Sequence, residues 1–297
     1  MLSDGPQIHA GRRGRVNRGV VSMTAMTMPA RAVTQAPLSY RKSVDRLRDP
    51  QLEALRQAYS MSMALSDERG FEFWAGLHGL PLPMYCEHHT DLFLPWHRAY
   101  LYFFELSLKD LVPTVSLPWW DWTSFAAHQR GLPASCTEQD GAGGESNPLA
   151  GGTISALARS QGADAGLPAP ERTVRSPDDP GLLPTRQHIG DLLDLGDFLD
   201  FSQQLEQVHD EVHVWVGGTV AEIPYAAYDP IFWAHHSMID RLWRLWQLRH
   251  PTAGVPSSLL HLALRPFPIT VADTLSTTSL GYDYAVFSSR TVIGAQP

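Results

Sequence analysis

Apolar side chains recur at helical spacing in three stretches of the first half of this chain and three of the second, and between the two groups the pattern lapses. Pro50 stands where a helix can begin, and Leu52, Leu55, Ala58, Tyr59 and Met63 follow on one face. The spacing predicts a second helix over residues 67–78, with Phe71, Trp74 and His78 on one stripe. It predicts a third over 97–111, where Leu101, Phe104, Leu108 and Leu111 recur. Residues 131–184 are rich in Gly, Ala, Ser, Asp and Pro, which predicts a long irregular excursion with a short helical turn near 154–159. Helical pattern returns at 192–201 and 205–216 and is strongest at 231–248, where Trp233, Ile239, Leu242, Trp243 and Trp246 make a wide apolar face before Pro251 ends it. A mainly α fold follows, with a four-helix bundle core and long irregular loops.

At 297 residues and 43% hydrophobic, the chain can bury a large single core. Residues 1–37 lack apolar periodicity and read as a disordered tail, 38–285 as one domain, and 286–297 as a short C-terminal tail. A net charge of −8 and the lack of a basic run argue against nucleic acid as a partner. No apolar run approaches the roughly 20 residues of a membrane helix. Nor does a hydrophobic stretch follow Arg12, Arg13, Arg15 and Arg18, as a signal peptide would require, so the expectation is a cytoplasmic protein, with export beside a partner still compatible. Cys86 and Cys136 are the only cysteines, too few for a disulfide framework.

Histidine placement changes the picture from a fold to a chemistry. His88 precedes His97 by nine residues, His209 and His213 form an H-x-x-x-H pair, and His236 lies in an aromatic stretch; His78 completes two sets of three. Four residues apart on a helix, His209 and His213 lie one above the other and can share a metal. A zinc peptidase would need glutamate after the first of them, and Asp210 stands there instead. Three imidazoles leave a metal with an open position, and imidazole suits copper as well as zinc or iron. Two such sets on facing helices point to a binuclear metalloenzyme.

Two longer motifs then match a known family. Residues 88–105 fit H-x4-F-L-P-W-H-R-x2-L-x3-E through His88, Phe93, His97, Arg98, Leu101 and Glu105, and residues 229–240 fit D-P-x-F-x3-H-x3-D through Asp229, Pro230, Phe232, His236 and Asp240. In these the chain resembles the type 3 copper proteins: tyrosinases, catechol oxidases and molluscan-type hemocyanins. The resemblance implies two copper ions, one on His78, His88 and His97 and the other on His209, His213 and His236, with dioxygen as co-substrate. The register of the motifs leaves His89 and His235 as supporting or packing residues. His9, His128, His188, His250 and His261 read as solvated or locally hydrogen-bonded.

Phe93, Trp96, Phe232 and Trp233 read as core around a dry pocket, and Arg98, Glu105, Asp229 and Asp240 as buried ion pairs that orient imidazoles. Tyr282-Asp283-Tyr284 resembles the tyrosine motif that closes the family's catalytic domain, with Arg41 as its partner. Cys86, two residues before His88, resembles the cysteine that forms a thioether to that ligand; a free thiol or a pair with Cys136 are the alternatives. Asp210 is the candidate proton acceptor for a monophenol, with Asp200 as the upstream acid and Glu206 as its alternative. The activity implied is that of a tyrosinase: ortho-hydroxylation of monophenols and oxidation of o-diphenols to o-quinones, as in melanin biosynthesis. A catechol or o-aminophenol oxidase and a hemocyanin-type oxygen carrier are the rivals. The expected partners are a small phenolic substrate and a copper-delivery or carrier protein, with no nucleic acid and no membrane.

Overall fold

The computed structural model describes residues 38–139 and 146–285. The tails expected at 1–37 and 286–297, and His9, lie outside the described residues. Four long helices carry the core: α1 (Asp49–Met63), α3 (Phe93–Leu111), α8 (Phe198–Val216) and α10 (Pro230–Arg249). Between them come α2 (Phe71–His78), α4 (Phe125–Arg130), α5 (Ala134–Thr137), α6 (Ala156–Asp164), α7 (Arg186–Leu193) and α9 (Ile223–Ala226). α10 packs on α3, α8 packs on both, and α1 lies against α2 and α3. The mainly helical, four-helix reading therefore holds, with α2 a short helix that delivers His78 from its last position.

Local chemistry explains where the observed helices depart from the predicted ones. α2 starts at Phe71 because Gly70 is its cap, while the preceding residues form a turn in which the Asp67 carboxylate accepts from the Arg69 N–H at 3.0 Å. α3 starts at Phe93, ahead of the apolar stripe, and takes Pro95 into its first turn, where no N–H is needed. The segment predicted as one helix over 192–201 is broken. α7 ends at Leu193, and α8 starts after Asp197, whose carboxylate accepts from the N–H groups of Leu199 (2.8 Å) and Asp200 (3.1 Å). The polar residues 202–204, between the two apolar stretches, continue the helix.

The described residues of the 131–184 excursion hold α5, α6 and a 3-10 turn, so they are more ordered than predicted. Arg175 pins it down. Its guanidinium donates to both Asp229 carboxylate oxygens and to the carbonyls of Cys136 and Leu149, while Asp229 caps α10 by accepting from the Ile231 N–H at 3.0 Å.

The two ends of the described chain meet in a parallel strand pair, β1 (Ser39–Arg41) on β2 (Tyr282–Tyr284). Arg41 is fully buried under it, with Nε donating to Glu105 at 2.8 Å and Nη1 to Tyr284 at 3.0 Å, and its guanidinium lies 3.8 Å from the Tyr282 ring centre. Asp240 of α10 accepts from Arg98 Nε, from Arg41 Nη1 at 3.2 Å, and from the hydroxyls of Tyr282 (2.7 Å) and Tyr284. Arg98, Glu105 and Asp240 thus form, with Arg41, a buried network that ties α3 and α10 to both ends of the described chain.

One backbone approach sets the wall of the histidine site. Leu80 N–H donates to the Pro224 carbonyl at 3.0 Å, and a Cβ on Gly79 would stand 2.2 Å from that oxygen. Gly79→Ala is therefore expected to push α9 away from α2 and to destabilise the protein by about 1–3 kcal/mol, the usual cost of overpacking. Chemical denaturation of the variant checks this; wild-type stability would refute the steric account.

Candidate metal centre

His209 and His213 stand one turn apart on α8, and His236 reaches them from α10. His236 Nε2 is 3.2 Å from Nε2 of each of the other two. Three nitrogens about 2.0 Å from one ion in tetrahedral directions would be roughly 3.3 Å apart, so the spacing is that of ligands converging on a metal. The first set comes from three different settings. His78 ends α2, His97 lies in the first turns of α3, and His88 lies in the loop between them. These three also offer ligand atoms within 4.8 Å of one another. The two sets face each other: the His97 and His236 rings stack with centres 4.6 Å apart, and those of His88 and His209 stack at 5.7 Å.

Ring orientation is fixed by hydrogen bonds on the far nitrogen. His97 Nδ1 donates to the Phe93 carbonyl at 2.8 Å, His213 Nδ1 to the Val220 carbonyl at 2.8 Å, and His209 Nδ1 to the Asp210 carboxylate at 2.9 Å. Each leaves Nε2 for a metal. His97 Nε2, both nitrogens of His78 and His236 Nδ1 are buried without a hydrogen-bond partner among the described residues. Buried polar atoms rarely go unanswered, and a metal at each set would answer the nitrogens that face it. The expected role of Arg98, Glu105, Asp229 and Asp240 in orienting imidazoles is corrected here. They pair with one another and with Arg41 and Arg175, and the orienting partners are two backbone carbonyls and Asp210.

Burial, reinforced by the neighbouring imidazoles, lowers the pKa of His78, His97, His209 and His236 well below the ordinary histidine value. Burial takes His88 and His213 to about 4. All six are neutral at pH 7, as ligands must be. Phe93 and Phe232 press on the rings, Phe232 at 4.0 Å from His236 and 4.7 Å from His78, and Phe93 at 4.8 Å from His97 and 5.0 Å from His209. Trp233 stacks on Phe104 at 3.7 Å behind them.

The family model for the common central domain of tyrosinase matches residues 68–249. The chain belongs to the type 3 copper family. Among relatives it is 31% identical over 237 residues to hemocyanin units G and H of Sepia officinalis, covering 73% of this chain but 39% of that protein. It is 34% identical over 186 residues to the tyrosinase of Streptomyces glaucescens, covering 56% of this chain and 66% of that one. A functional unit from octopus hemocyanin superposes with a TM-score of 0.70 at 29% identity, covering 82% of this chain and 67% of that one. The chain thus spans well under half of the Sepia protein, and tyrosinases and hemocyanins are both among its relatives. The two histidine sets suit the binuclear copper site of the family.

The remaining candidates fall in different places. Asp210 is 44% exposed at the mouth of the site. Asp200 is exposed near the start of α8, and nine residues before His209 it lies on the far side of the helix, so the structure does not bring it to the centre. Glu206, the alternative, is there: it is 4% exposed, and its carboxylate accepts from the His89 N–H at 2.6 Å. Burial pushes its carboxyl up to about 7.

His89 does not pack; its side chain is 73% exposed and its backbone is left-handed, φ 55°. His235 is buried, stacks on His209 at 5.2 Å, and offers an atom within 4.8 Å of those of the three histidines of that set. His128 and His250 donate to the Pro184 and Leu193 carbonyls, and His188 and His261 are exposed. Cys86 and Cys136 form no disulfide with each other, and burial pushes their thiols up to about 12 and about 11.

Sequence reasoning missed the Val220 and Phe93 carbonyls, which carry no side-chain signature. It also missed the left-handed turn at His89 that hands an N–H to Glu206.

Proposed function

We propose that this chain is a phenol oxidase of the tyrosinase kind, converting a monophenol and dioxygen, or an o-diphenol and half as much dioxygen, to an o-quinone and water. Copper bound at the two histidine sets would supply the oxidising chemistry. The observation that carries the reading is an entrance. A cavity of about 210 Å³ is lined by His78, His88, His209 and His213 and by Val214, Ile223 and Ala226. A second, of about 430 Å³, meets it at His89 and Asp210. A phenol ring fits the apolar wall. An oxygen carrier has no use for such access, although its relatives are similar in identity. Turnover of a monophenol and a diphenol by the copper-loaded protein tests the reading; dioxygen uptake with neither phenol consumed would favour the carrier.

The chain's own part in hydroxylation is to take the phenol proton. Glu206 Oε1 and the Asp210 carboxylate both line the outer cavity, and either accepts directly or through a water. The Glu206→Gln/Asp210→Asn double variant is expected to lose about 10²-fold in monophenol hydroxylation, the lower end for a general base. Diphenol oxidation should fall far less, and Asp200→Asn should match wild type in both assays. Equal losses in the two assays would favour a catechol oxidase.

Charge at the mouth bears on the substrate. No lysine or arginine lines either cavity among the described residues, while Asp91, Glu206 and Asp210 do. Tyramine is therefore expected to exceed 3-(4-hydroxyphenyl)propionate in kcat/KM by about fivefold at low ionic strength, the roughly 1 kcal/mol scale of an exposed charge pair. Equal values would show that the acidic mouth does not meet the side chain of the phenol.

A further inference from the structure

A third cavity, of about 560 Å³, shares no lining residue with the two at the histidines. Segments distant in sequence meet there: Arg46 just past β1, Trp119 and Asp121, Arg130 at the end of α4, Arg186 at the start of α7, and Arg241 on α10. Four of the lining side chains are arginines against two carboxylates, Asp45 and Asp121, in a chain whose net charge is −8. The concentration of positive charge is therefore local and opposes the background.

These arginines lack the partners that arginines usually have. Among the described residues the nearest carboxylate contact of any of them is the 3.9 Å between Arg186 Nη2 and Asp121 Oδ2. Asp121 is itself engaged, accepting from the Thr123 hydroxyl at 2.7 Å. Arg241 decides the matter. Its guanidinium lies 4.0 Å from the centre of the Trp119 ring, its Nη1 meets only the Met238 sulfur at 3.9 Å, and its Nε is buried with no hydrogen-bond partner. Trp119, 4% exposed, also buries its indole N–H without a partner. Burial lowers Arg241 to about 10, which still leaves it charged at neutral pH. Arg241 and Trp119 thus bring a charged guanidinium without a carboxylate partner and an unanswered indole N–H beside one cavity.

We propose that this cavity is an oxyanion-binding site, taking the phosphoryl, sulfuryl or carboxylate group of a small molecule. Arg241 would meet the anion from the floor, where its guanidinium lies flat on the Trp119 ring. Arg130 and Arg186 are exposed and would close on it from the rim. The cavity is within the roughly 300–1,000 Å³ of small-molecule sites, so the oxyanion is the head group of something larger.

Calorimetric titration of the copper-loaded protein with sulfate, inorganic phosphate and succinate, at ionic strength fixed with chloride, tests this. At least one of the three is expected to bind with millimolar or tighter Kd; sulfate or phosphate alone would point to a tetrahedral head group, succinate alone to a carboxylate. Arg241→Gln should weaken that binding at least tenfold. Because this change also strips the cover from Trp119, the deciding variant is Arg130→Gln/Arg186→Gln, whose sites are exposed. It should keep wild-type copper content and melting temperature and still lose at least tenfold in affinity. Absence of binding by all three anions, or the same affinity in the exposed double variant, would overturn the proposal.

Discussion

His236→Ala is expected to empty the second copper position and abolish oxidase activity without unfolding the protein. Its Nε2 is the atom that both His209 and His213 approach at 3.2 Å, so its loss leaves two imidazoles that no longer enclose an ion. Removing a residue that merely orients a ligand costs 10–100-fold in metal affinity or activity; removing the ligand should cost more than about 100-fold. The metal-free fold should tolerate the change. The ring is fully buried with Nδ1 unpartnered, so its deletion relieves an unanswered polar atom even as it opens a void beside Phe232. Copper analysis should fall from two ions per chain towards one, with far-ultraviolet circular dichroism unchanged. Retention of both coppers, or of activity, would show that His236 is a packing residue.

Asp240→Ala is expected to have the largest effect on stability, about 3–5 kcal/mol, the cost of breaking a buried ion pair by removing one partner. The carboxylate is 3% exposed and accepts from Arg98, Arg41, Tyr282 and Tyr284, and without it two buried guanidiniums lose an anion. That is a large share of the roughly 5–15 kcal/mol that holds a domain folded. The effect carries a pH signature. Burial alone would raise the Asp240 carboxyl, but Arg98 and Arg41 outweigh it and hold the pKa below the usual carboxylate value; Glu105 is lowered likewise, against its burial, by Arg41 and Lys109. A carboxylate with a depressed folded-state pKa contributes stability above its unfolded value and loses it as pH falls through the folded one. The difference between wild type and Asp240→Ala in urea unfolding should therefore be full at neutral pH and shrink below about pH 4. A difference independent of pH would assign the loss to packing.

Much of the centre was legible in the sequence because its chemistry depends on register. In the family motifs, three residues between His236 and Asp240 select His236 over its neighbour His235 as the expected ligand, and the four between His88 and Phe93 select His88 over His89. Asp200 shows the limit of proximity along the chain. Nine residues of α-helix are two and a half turns, which turns its side chain away from His209, whereas Glu206, three residues before the ligand, shares its face. The helix break before Phe198 depends on one capping carboxylate, Asp197, and the apolar periodicity runs across it undisturbed. Backbone acceptors such as the Val220 carbonyl depend on a turn that brings residue 220 back to residue 213, and no residue type announces that.

The strand pair between residues 39–41 and 282–284 has a temporal consequence. All six histidines have been synthesised once residue 236 is made, yet Asp240 and Arg41 receive the Tyr282 and Tyr284 hydroxyls only when the far end of the domain arrives. Contacts of such separation form late, because a loop of more than two hundred residues must close before they give any return. A growing chain thus carries both histidine sets in a core whose buried charges are not yet fully matched. Tight capture of metal should therefore follow release of the finished domain rather than accompany its emergence.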